Sequence, residues 1–157
     1  MIGIKTHAIG PIGRVKRGKY GVQLRIDEPF RPGLLHLGKF SHVIVLWWAD
    51  RFDTEEYRSI MRLKPFYAKK VLTGVFATRS PHRPNPLAMT VCRILDLDES
   101  EGVVVVSDID AYNGTEIVDL KGYYPVTDRV ESPRIPDWLP VEFSESVGGE
   151  GKGPDRG

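Results

Sequence analysis

The chain alternates between short apolar segments and turns, and this pattern predicts strands rather than long helices. The strongest strand is residues 40–48, FSHVIVLWW, which is apolar on both faces and rich in β-branched and aromatic side chains. We therefore expect it to be central. Further strands are predicted at residues 4–15, with a kink at the Gly-Pro-Ile-Gly turn, and at 34–37, 74–77, 87–97, 103–107, 116–123 and 138–143. Residues 20–25 are predicted to be a short strand or a loop.

One segment carries a helix signal. Residues 53–56, DTEE, combine capping residues with acids in a first helical turn, and they predict a short helix over about 53–61. Many short strands with one helix indicate an all-β fold, either a barrel or a sandwich. The length of 157 residues fits one domain, predicted at 1–143, and the Gly-rich polar residues 144–157 are predicted to be a flexible tail.

The segment between two predicted strands, residues 78–86, is the most unusual in the chain. Its sequence, TRSPHRPNP, holds three prolines beside two arginines, a histidine and an asparagine. Each proline fixes φ and restricts the residue before it, so this proline loop should be stiff. A stiff polar loop on a strand scaffold indicates a preorganised site. The alternative is a turn with solvated arginines.

A second polar loop follows the buried strand at 103–107. This acidic loop, residues 108–115, contains Asp108, Asp110 and Asn113, and its Asn-Gly pair supplies a residue with positive φ. Guanidinium groups suit carboxylates or phosphates, whereas an Asp suits ribose hydroxyls or an exocyclic amine. The two loops together predict a ligand with an anionic end and a hydroxyl-rich end.

Charge is distributed unevenly although the net charge is only +1. No Asp or Glu occurs from Tyr57 to Leu95, and that segment interleaves Lys69 and Lys70 with aromatic residues. Such a face suits nucleic acid, because phosphates pair with lysines and bases stack on aromatics. Aromatics packed at the edge of the core are the alternative. The basic run at residues 14–19 is predicted to be a solvated loop, with a nucleic-acid contact as the second possibility.

Several chemistries are excluded by the residues present. A single cysteine, Cys92, and four dispersed histidines provide no zinc spacing, and no nucleotide-binding glycine motif or Gly-x-Ser-x-Gly elbow occurs. Cys92 is predicted to be a buried apolar residue. No signal peptide and no apolar run of membrane-spanning length is present, so we expect a soluble, cytoplasmic protein without a metal.

Three motifs together resemble the TsaA-like family, also called YaeB or TrmO. They are residues 74–87, GVFATRSPHRPNPL; residues 40–42, FSH, entering the Trp strand; and residues 113–123, NGTEIVDLKGY. The resemblance runs from about residue 4 to residue 125 and implies a small antiparallel β-barrel. It is to a compact form without the C-terminal domain of larger bacterial members, and the family's usual Asp-Gly-Thr-Pro is Asn113-Gly114-Thr115-Glu116 here.

What the resemblance implies about function is specific. Family members are S-adenosylmethionine-dependent methyltransferases of N6 of threonylcarbamoyl-adenosine at tRNA position 37, and they are typically dimers. The implied cofactor contacts are Pro32, Gly33, Leu34, Asp50, Arg51, Arg79, Met89, Asp110, Ala111, Tyr112 and Asn113.

The remaining roles follow from the chemistry of that reaction. The N6 amine is a poor nucleophile because its lone pair is delocalised, so an oxygen accepting its hydrogens should help; Asn85 or Asp110 is the hypothesis. Arg83 is predicted to pair with the threonylcarbamoyl carboxylate, and His82, Lys69 and Lys70 to contact substrate. The alternatives are a non-catalytic S-adenosylmethionine- or RNA-binding module, or a methyltransferase with another substrate.

Overall fold

The computed structural model describes residues 3–143. The predicted tail at 144–157 lies outside the described residues and stays a prediction. The strands are β1 Gly13–Gly18, β2 Gly21–Ile26, β3 His42–Trp48, β4 Arg62–Leu63, β5 Thr73–Gly74, β6 Leu87–Asp98, β7 Val103–Val106 and β8 Glu116–Gly122. The α-helices are α1 Glu55–Arg58 and α2 Pro125–Asp128, and 3-10 turns occur at Glu28–Leu34, Leu37–Lys39, Asp50–Phe52, Phe66–Ala68, Val75–Ala77 and Val141–Phe143.

Six strands form a closed antiparallel barrel in the order β1-β2-β7-β6-β3-β8. This architecture confirms the predicted all-β barrel. The described residues divide into two compact units. The barrel unit contains residues 3–48 and 89–123, and the loop unit contains residues 49–88 and 124–143. Each unit carries one of the two polar loops.

The core of the barrel unit comes from alternation along its strands. Val15 in β1, Leu24 in β2, Val43 and Val45 in β3 and Val104 in β7 are at most 1% exposed, while their neighbours along each strand are more exposed. Alternate side chains of a strand point to opposite faces, so one apolar set lines the interior. Cys92 lies in this core, as predicted.

Gly13 begins β1 where the backbone of β2 leaves no room for a side chain. It pairs with Ile26 on one side and with Ile117 on the other, so it lies at the seam where the barrel closes. A Cβ placed there would lie 2.1 Å from the carbonyl oxygen of Arg25. Only glycine therefore fits this position without separating β1 from β2.

The loop unit is built from one-turn elements. Thr54 caps α1 by accepting a hydrogen bond from the Tyr57 backbone N–H at 3.2 Å. The β4 and β5 strands pair antiparallel through Arg62 with Gly74, and Pro65 and Val75 are buried beside them. Short elements of this kind have little stability alone, so side-chain contacts within the unit must hold them.

Two of the predicted elements in the loop unit are wrong in extent. The helix predicted at 53–61 covers only Glu55–Arg58, because the chain beyond residue 61 pairs as β4. The strand predicted at 74–77 is a 3-10 turn after β5, closed by the Thr78 N–H donating to the Val75 carbonyl. An apolar run indicates burial but does not by itself determine the backbone.

Three other predicted strands are absent from the described residues. The segment 34–37 lies in 3-10 turns, since His36 has a φ of 67° that interrupts an extended chain. Residues 138–143 form turns, and residues 4–12 precede β1 without strand pairing. A second one-turn helix, α2, was not predicted.

Candidate active site

The proline loop, residues 78–86 in the loop unit, is held by its own polar groups. The Thr78 hydroxyl donates to the Val75 carbonyl at 2.7 Å and accepts from the Ser80 N–H at 3.2 Å. Arg83 donates through Nη1 to the carbonyls of Thr78 and Ser80 at 3.1 and 3.0 Å. The loop is therefore braced by hydrogen bonds as well as by prolines, as expected of a preorganised site.

Arg58 of α1 fixes the far end of this loop. Its Nε donates to the Pro84 carbonyl at 2.7 Å, Nη2 donates to Oδ1 of Asn85 at 3.2 Å, and Nη1 pairs with Asp53 at 2.9 Å. A planar guanidinium presents its donors in a rigid fork, so these contacts fix the orientation of the Asn85 amide. Arg58 is thus a positioning residue for Asn85.

His82 packs inside an aromatic cluster. Its ring stacks on Tyr57 with centroids 4.6 Å apart and an interplanar angle of 9°, and it meets Phe52 edge-on at 5.2 Å. These contacts are typical of rings that fix a loop through packing. His82 therefore anchors the proline loop to α1, in addition to the substrate contact predicted for it.

Five other predicted site residues of the loop unit are exposed. Arg79, Lys69 and Lys70 make no hydrogen bond or ion pair with any residue from 3 to 143, and Asp50 is exposed in a 3-10 turn. Arg51 is also exposed. The three cations Arg79, Lys69 and Lys70 are therefore available to meet an anion.

The acidic loop in the barrel unit closes around one arginine. Arg17 Nε donates to the Ala111 carbonyl at 2.9 Å, Nη2 donates to the Ile109 carbonyl, and Nη1 pairs with Asp108 at 3.3 Å. The Arg17 backbone N–H donates to Oδ1 of Asn113 at 2.8 Å. These contacts set the path of the loop through Asp110 to Asn113.

Asp110 ends a chain of hydrogen bonds that starts in the barrel wall. Trp47 Nε1 donates to the Thr90 hydroxyl at 3.0 Å, and that hydroxyl donates to Oδ1 of Asp110 at 2.7 Å. A hydroxyl that donates to a carboxylate oxygen fixes the orientation of that carboxylate. Thr90 and Trp47 therefore position Asp110, which is itself exposed.

The remaining predicted cofactor residues of the barrel unit differ in accessibility. Pro32 and Gly33 are exposed in the 3-10 turn Glu28–Leu34, and Met89 is exposed on β6. The side chains of Leu34 and Ala111 are buried, at 2% and 1% exposure. At these two positions a ligand contact would have to involve the backbone.

Arg17, Arg58 and Thr90 are the functional residues that sequence reasoning missed. Arg17 belonged to a run predicted to be a solvated loop, but the run lies on β1 and its turn, and Arg17 is half-buried in the acidic loop. The contact from Arg17 to Ala111 joins residues 94 positions apart. No local pattern carries information about such a pair.

The Cys92 thiol is buried beside the acidic loop. Its Sγ donates to the Asp108 carbonyl at 3.1 Å. Burial, together with the negative charges of Asp110 and Asp108, raises the pKa of Cys92 from 9.0 to about 12. The thiol is therefore neutral at physiological pH.

Cys92 is expected to resist alkylation by iodoacetamide at pH 8 in the folded protein, because the thiolate is the nucleophile. Unfolding in urea should restore rapid labelling, as measured by mass spectrometry. Since the pKa is higher in the folded state, its contribution to stability is complete below about pH 9 and is lost as the pH rises towards 12. Equal labelling rates with and without urea would contradict this assignment.

Two further properties bear on the class of site. Within residues 3–143, no cluster of three or more His, Cys, Asp or Glu side chains has the arrangement of a metal site. None of the helices in that range is both long enough and apolar enough to cross a membrane.

The sequence matches the family model of the tRNA-methyltransferase O N-terminal domain over residues 9–129. A "Probable S-adenosyl-L-methionine-binding protein" of Methanocaldococcus jannaschii is 36% identical over 126 residues, which cover 80% of this chain and 96% of the relative. A protein of the same description from Archaeoglobus fulgidus is 37% identical over 117 residues, covering 74% of this chain and 30% of its own length.

A third relative and a solved structure extend this comparison. The tRNA (adenine(37)-N6)-methyltransferase of Rattus norvegicus is 36% identical over 90 residues, covering 57% of this chain and 20% of that protein. The crystal structure of TrmO from P. aeruginosa has a TM-score of 0.66 and 27% identity, covering 87% of this chain and 63% of that one. The chain thus spans less than two thirds of several relatives. The resemblance to the TsaA-like family is confirmed, and the chain belongs to the TrmO family, matching its N-terminal domain from residue 9 to residue 129.

Proposed function

We propose that this protein uses S-adenosylmethionine to methylate N6 of threonylcarbamoyl-adenosine at position 37 of tRNA. The observation that carries the proposal is the match to the tRNA-methyltransferase O N-terminal domain over residues 9–129. The names of the relatives support it, since the archaeal proteins are named for S-adenosylmethionine binding and the rat enzyme is named for methylation of adenine 37.

The acidic loop suits the proposed methyl donor. S-adenosylmethionine supplies an electrophilic methyl group on a positively charged sulfonium, and it carries ribose hydroxyls. The negative charges that raise the pKa of Cys92 would attract that cation, and the exposed Asp110 carboxylate would accept hydrogen bonds from hydroxyls. The residues proposed to hold the donor are Asp110, Ala111, Tyr112, Asn113, Pro32, Gly33, Leu34 and Met89 in the barrel unit, and Asp50, Arg51 and Arg79 in the loop unit.

Stiff loops suit this reaction, because methyl transfer depends on alignment more than on acid–base strength. Asn85 is the first candidate acceptor for the N6 hydrogens. Arg58 takes one of the two lone pairs of its Oδ1, and the second remains for a substrate donor. Asp110 is the second candidate acceptor, with Oδ1 engaged by Thr90.

The substrate carries an anion that needs a cation. Arg83 uses Nη1 for the loop carbonyls and has further N–H groups for the threonylcarbamoyl carboxylate. Lys69 and Lys70 are exposed and suited to tRNA phosphates, and His82 presents a ring beside the loop. Each of these roles is part of the proposal.

We also propose that the protein acts as a homodimer. The outward side chains of β6 include Met89, Val91 and Leu95, which are 45%, 46% and 57% exposed. A stripe of alternating apolar residues on a strand is a candidate surface for a second copy.

The alternatives remain a non-catalytic module that binds S-adenosylmethionine or RNA, and a methyltransferase of another substrate. The archaeal relatives favour the first alternative, because their names describe binding of S-adenosylmethionine and not methyl transfer. Binding and transfer must therefore be measured separately.

Methyl incorporation from labelled S-adenosylmethionine into tRNA tests the proposal. Transfer is expected to tRNA that carries the threonylcarbamoyl group, and not to the same tRNA without it. Asn85→Ala should lower the turnover about a hundredfold, because it removes an acceptor for the N6 hydrogens. Gln23→Ala, an amide on β2, serves as a control and should retain full turnover.

Three outcomes would contradict the proposal or part of it. A thermal shift with S-adenosylmethionine but no transfer to either tRNA would indicate a binding module. Transfer to the tRNA without the threonylcarbamoyl group would indicate another substrate. Full turnover of Asn85→Ala would remove Asn85 as the acceptor.

A further inference from the structure

One segment of the loop unit carries exposed cations without acidic partners. Five side chains of the segment from β4 through the start of the proline loop are exposed, and none of them is in an ion pair within residues 3–143. They are Arg62, Lys64, Lys69, Lys70 and Arg79. Because no Asp or Glu occurs from Tyr57 to Leu95, nothing in this segment neutralises them.

Two phenylalanines lie within the same segment and are also exposed. Phe76 is 78% exposed and Phe66 is 80% exposed. Phe66 has its ring against Tyr67, edge-on at 5.2 Å, whereas Phe76 makes no ring contact with any residue from 3 to 143. A large apolar ring left in water usually marks a contact surface. We call these two rings and the five cations the basic surface.

The fold holds Phe76 outward. In the turn Val75–Ala77, Val75 is 1% exposed and Thr78 is 5% exposed, so both face inward. The Val75 N–H donates to the Met61 carbonyl at 3.0 Å, and the Thr78 hydroxyl closes the turn on the Val75 carbonyl. With these two residues anchored, Phe76 and Arg79 are presented to solvent on a fixed backbone.

We propose that the basic surface binds unpaired nucleotides of RNA, with the Phe76 ring stacked on a base and with Arg62 and the three lysines on neighbouring phosphates. This inference deepens the proposed function and rests on it for the choice of RNA as ligand. Charge favours RNA over a protein partner, because the segment that presents Phe76 carries five exposed cations without ion pairs, and these match the negative charge of a phosphate backbone. Aromatic rings stack on any base, so this surface contributes affinity for a loop more than sequence specificity.

Binding to a fluorescent RNA hairpin with an unpaired loop tests the inference, with a fully paired duplex of the same stem as comparison. Anisotropy is measured without S-adenosylmethionine, so binding does not depend on methyl transfer. Phe76→Ala should weaken hairpin binding about tenfold and leave the salt dependence unchanged. Phe76→Trp should restore binding, which a merely structural role would not predict.

Substitution of the lysines should change the salt dependence of binding, which substitution of Phe76 should not. Lys69→Ala combined with Lys70→Ala should weaken both RNAs and reduce the slope of log affinity against log salt by about two, one for each phosphate contact. Tyr20→Ala is the matched control. Tyr20 is 85% exposed beside Lys19 in the barrel unit, and its removal should not affect binding.

The inference is wrong if Phe76→Ala binds the hairpin as tightly as the unmodified protein does. It is also wrong if Tyr20→Ala loses as much affinity for the hairpin as Phe76→Ala does, or if Phe76→Ala loses as much affinity for the duplex as for the hairpin. If Phe76→Ala changes the oligomeric state in solution but not RNA binding, the surface is assigned to self-association instead. If the hairpin binds through Phe76 but no tRNA is methylated, the proposed function fails and this inference stands. If tRNA is methylated but Phe76→Ala binds the hairpin normally, this inference fails and the proposed function stands.

Discussion

Replacing Gly13 with alanine is expected to lower the free energy of unfolding by about 3 kcal/mol or more. The new Cβ would lie 2.1 Å from the Arg25 carbonyl oxygen and 3.0 Å from the Ile26 Cα, and both are backbone atoms that cannot rotate away. Gly13 also pairs with Ile117 in β8, so β1 cannot move from β2 without opening the barrel. Urea unfolding followed by circular dichroism measures the loss.

Gly18→Ala is the matched control at the other end of β1. A Cβ at Gly18 meets no atom within 4 Å, and its φ is not in the left-handed region. The stability should be unchanged or rise by up to about 1 kcal/mol, because alanine restricts the unfolded chain. If Gly13→Ala and Gly18→Ala have the same stability, the close approach at Gly13 is not the constraint described.

Arg17→Met is expected to have the second large effect. Its loss leaves the carbonyls of Ile109 and Ala111 without their side-chain donor and removes the partner of Asp108. The free energy of unfolding should fall by about 2–3 kcal/mol, in the lower range for such groups because Arg17 is partly exposed. Affinity for S-adenosylmethionine should fall as well, as measured by titration calorimetry, because Arg17 sets the path of the acidic loop.

Two variants separate the geometry of Arg17 from its charge. Arg17→Lys keeps the charge but not the fork that reaches several carbonyls, so it should behave nearly as Arg17→Met does. Lys16→Met removes an exposed charge from the neighbouring position of β1 and should leave affinity intact. Full affinity of Arg17→Lys would mean that charge alone explains the contribution of Arg17.

The strands of the barrel were predictable because their burial alternates and their side chains are β-branched. β3, β6, β7 and β8 lie within about two residues of the predicted positions. Helix length was not predictable in the same way. The Thr54 cap and the acids after it mark where a helix begins, but the end at Arg58 depends on β4 pairing with β5.

The site was predictable only in part for a related reason. The proline loop is local in sequence, so its stiffness and its cations could be inferred from residues 78–86 alone. Its attachment through Arg58 and the shape of the acidic loop around Arg17 depend on contacts between distant residues. Such contacts follow from strand register, and one sequence does not specify register at that precision.

The closed ring of six strands also limits how copies of this protein can associate. In a closed barrel every strand has both of its backbone neighbours, so no edge is left on which a foreign strand could grow. A strand of another copy therefore cannot add to the barrel through backbone hydrogen bonds. The homodimer proposed above, if it forms through the barrel, would therefore use side chains such as Met89 and Val91, and single substitutions there should weaken it.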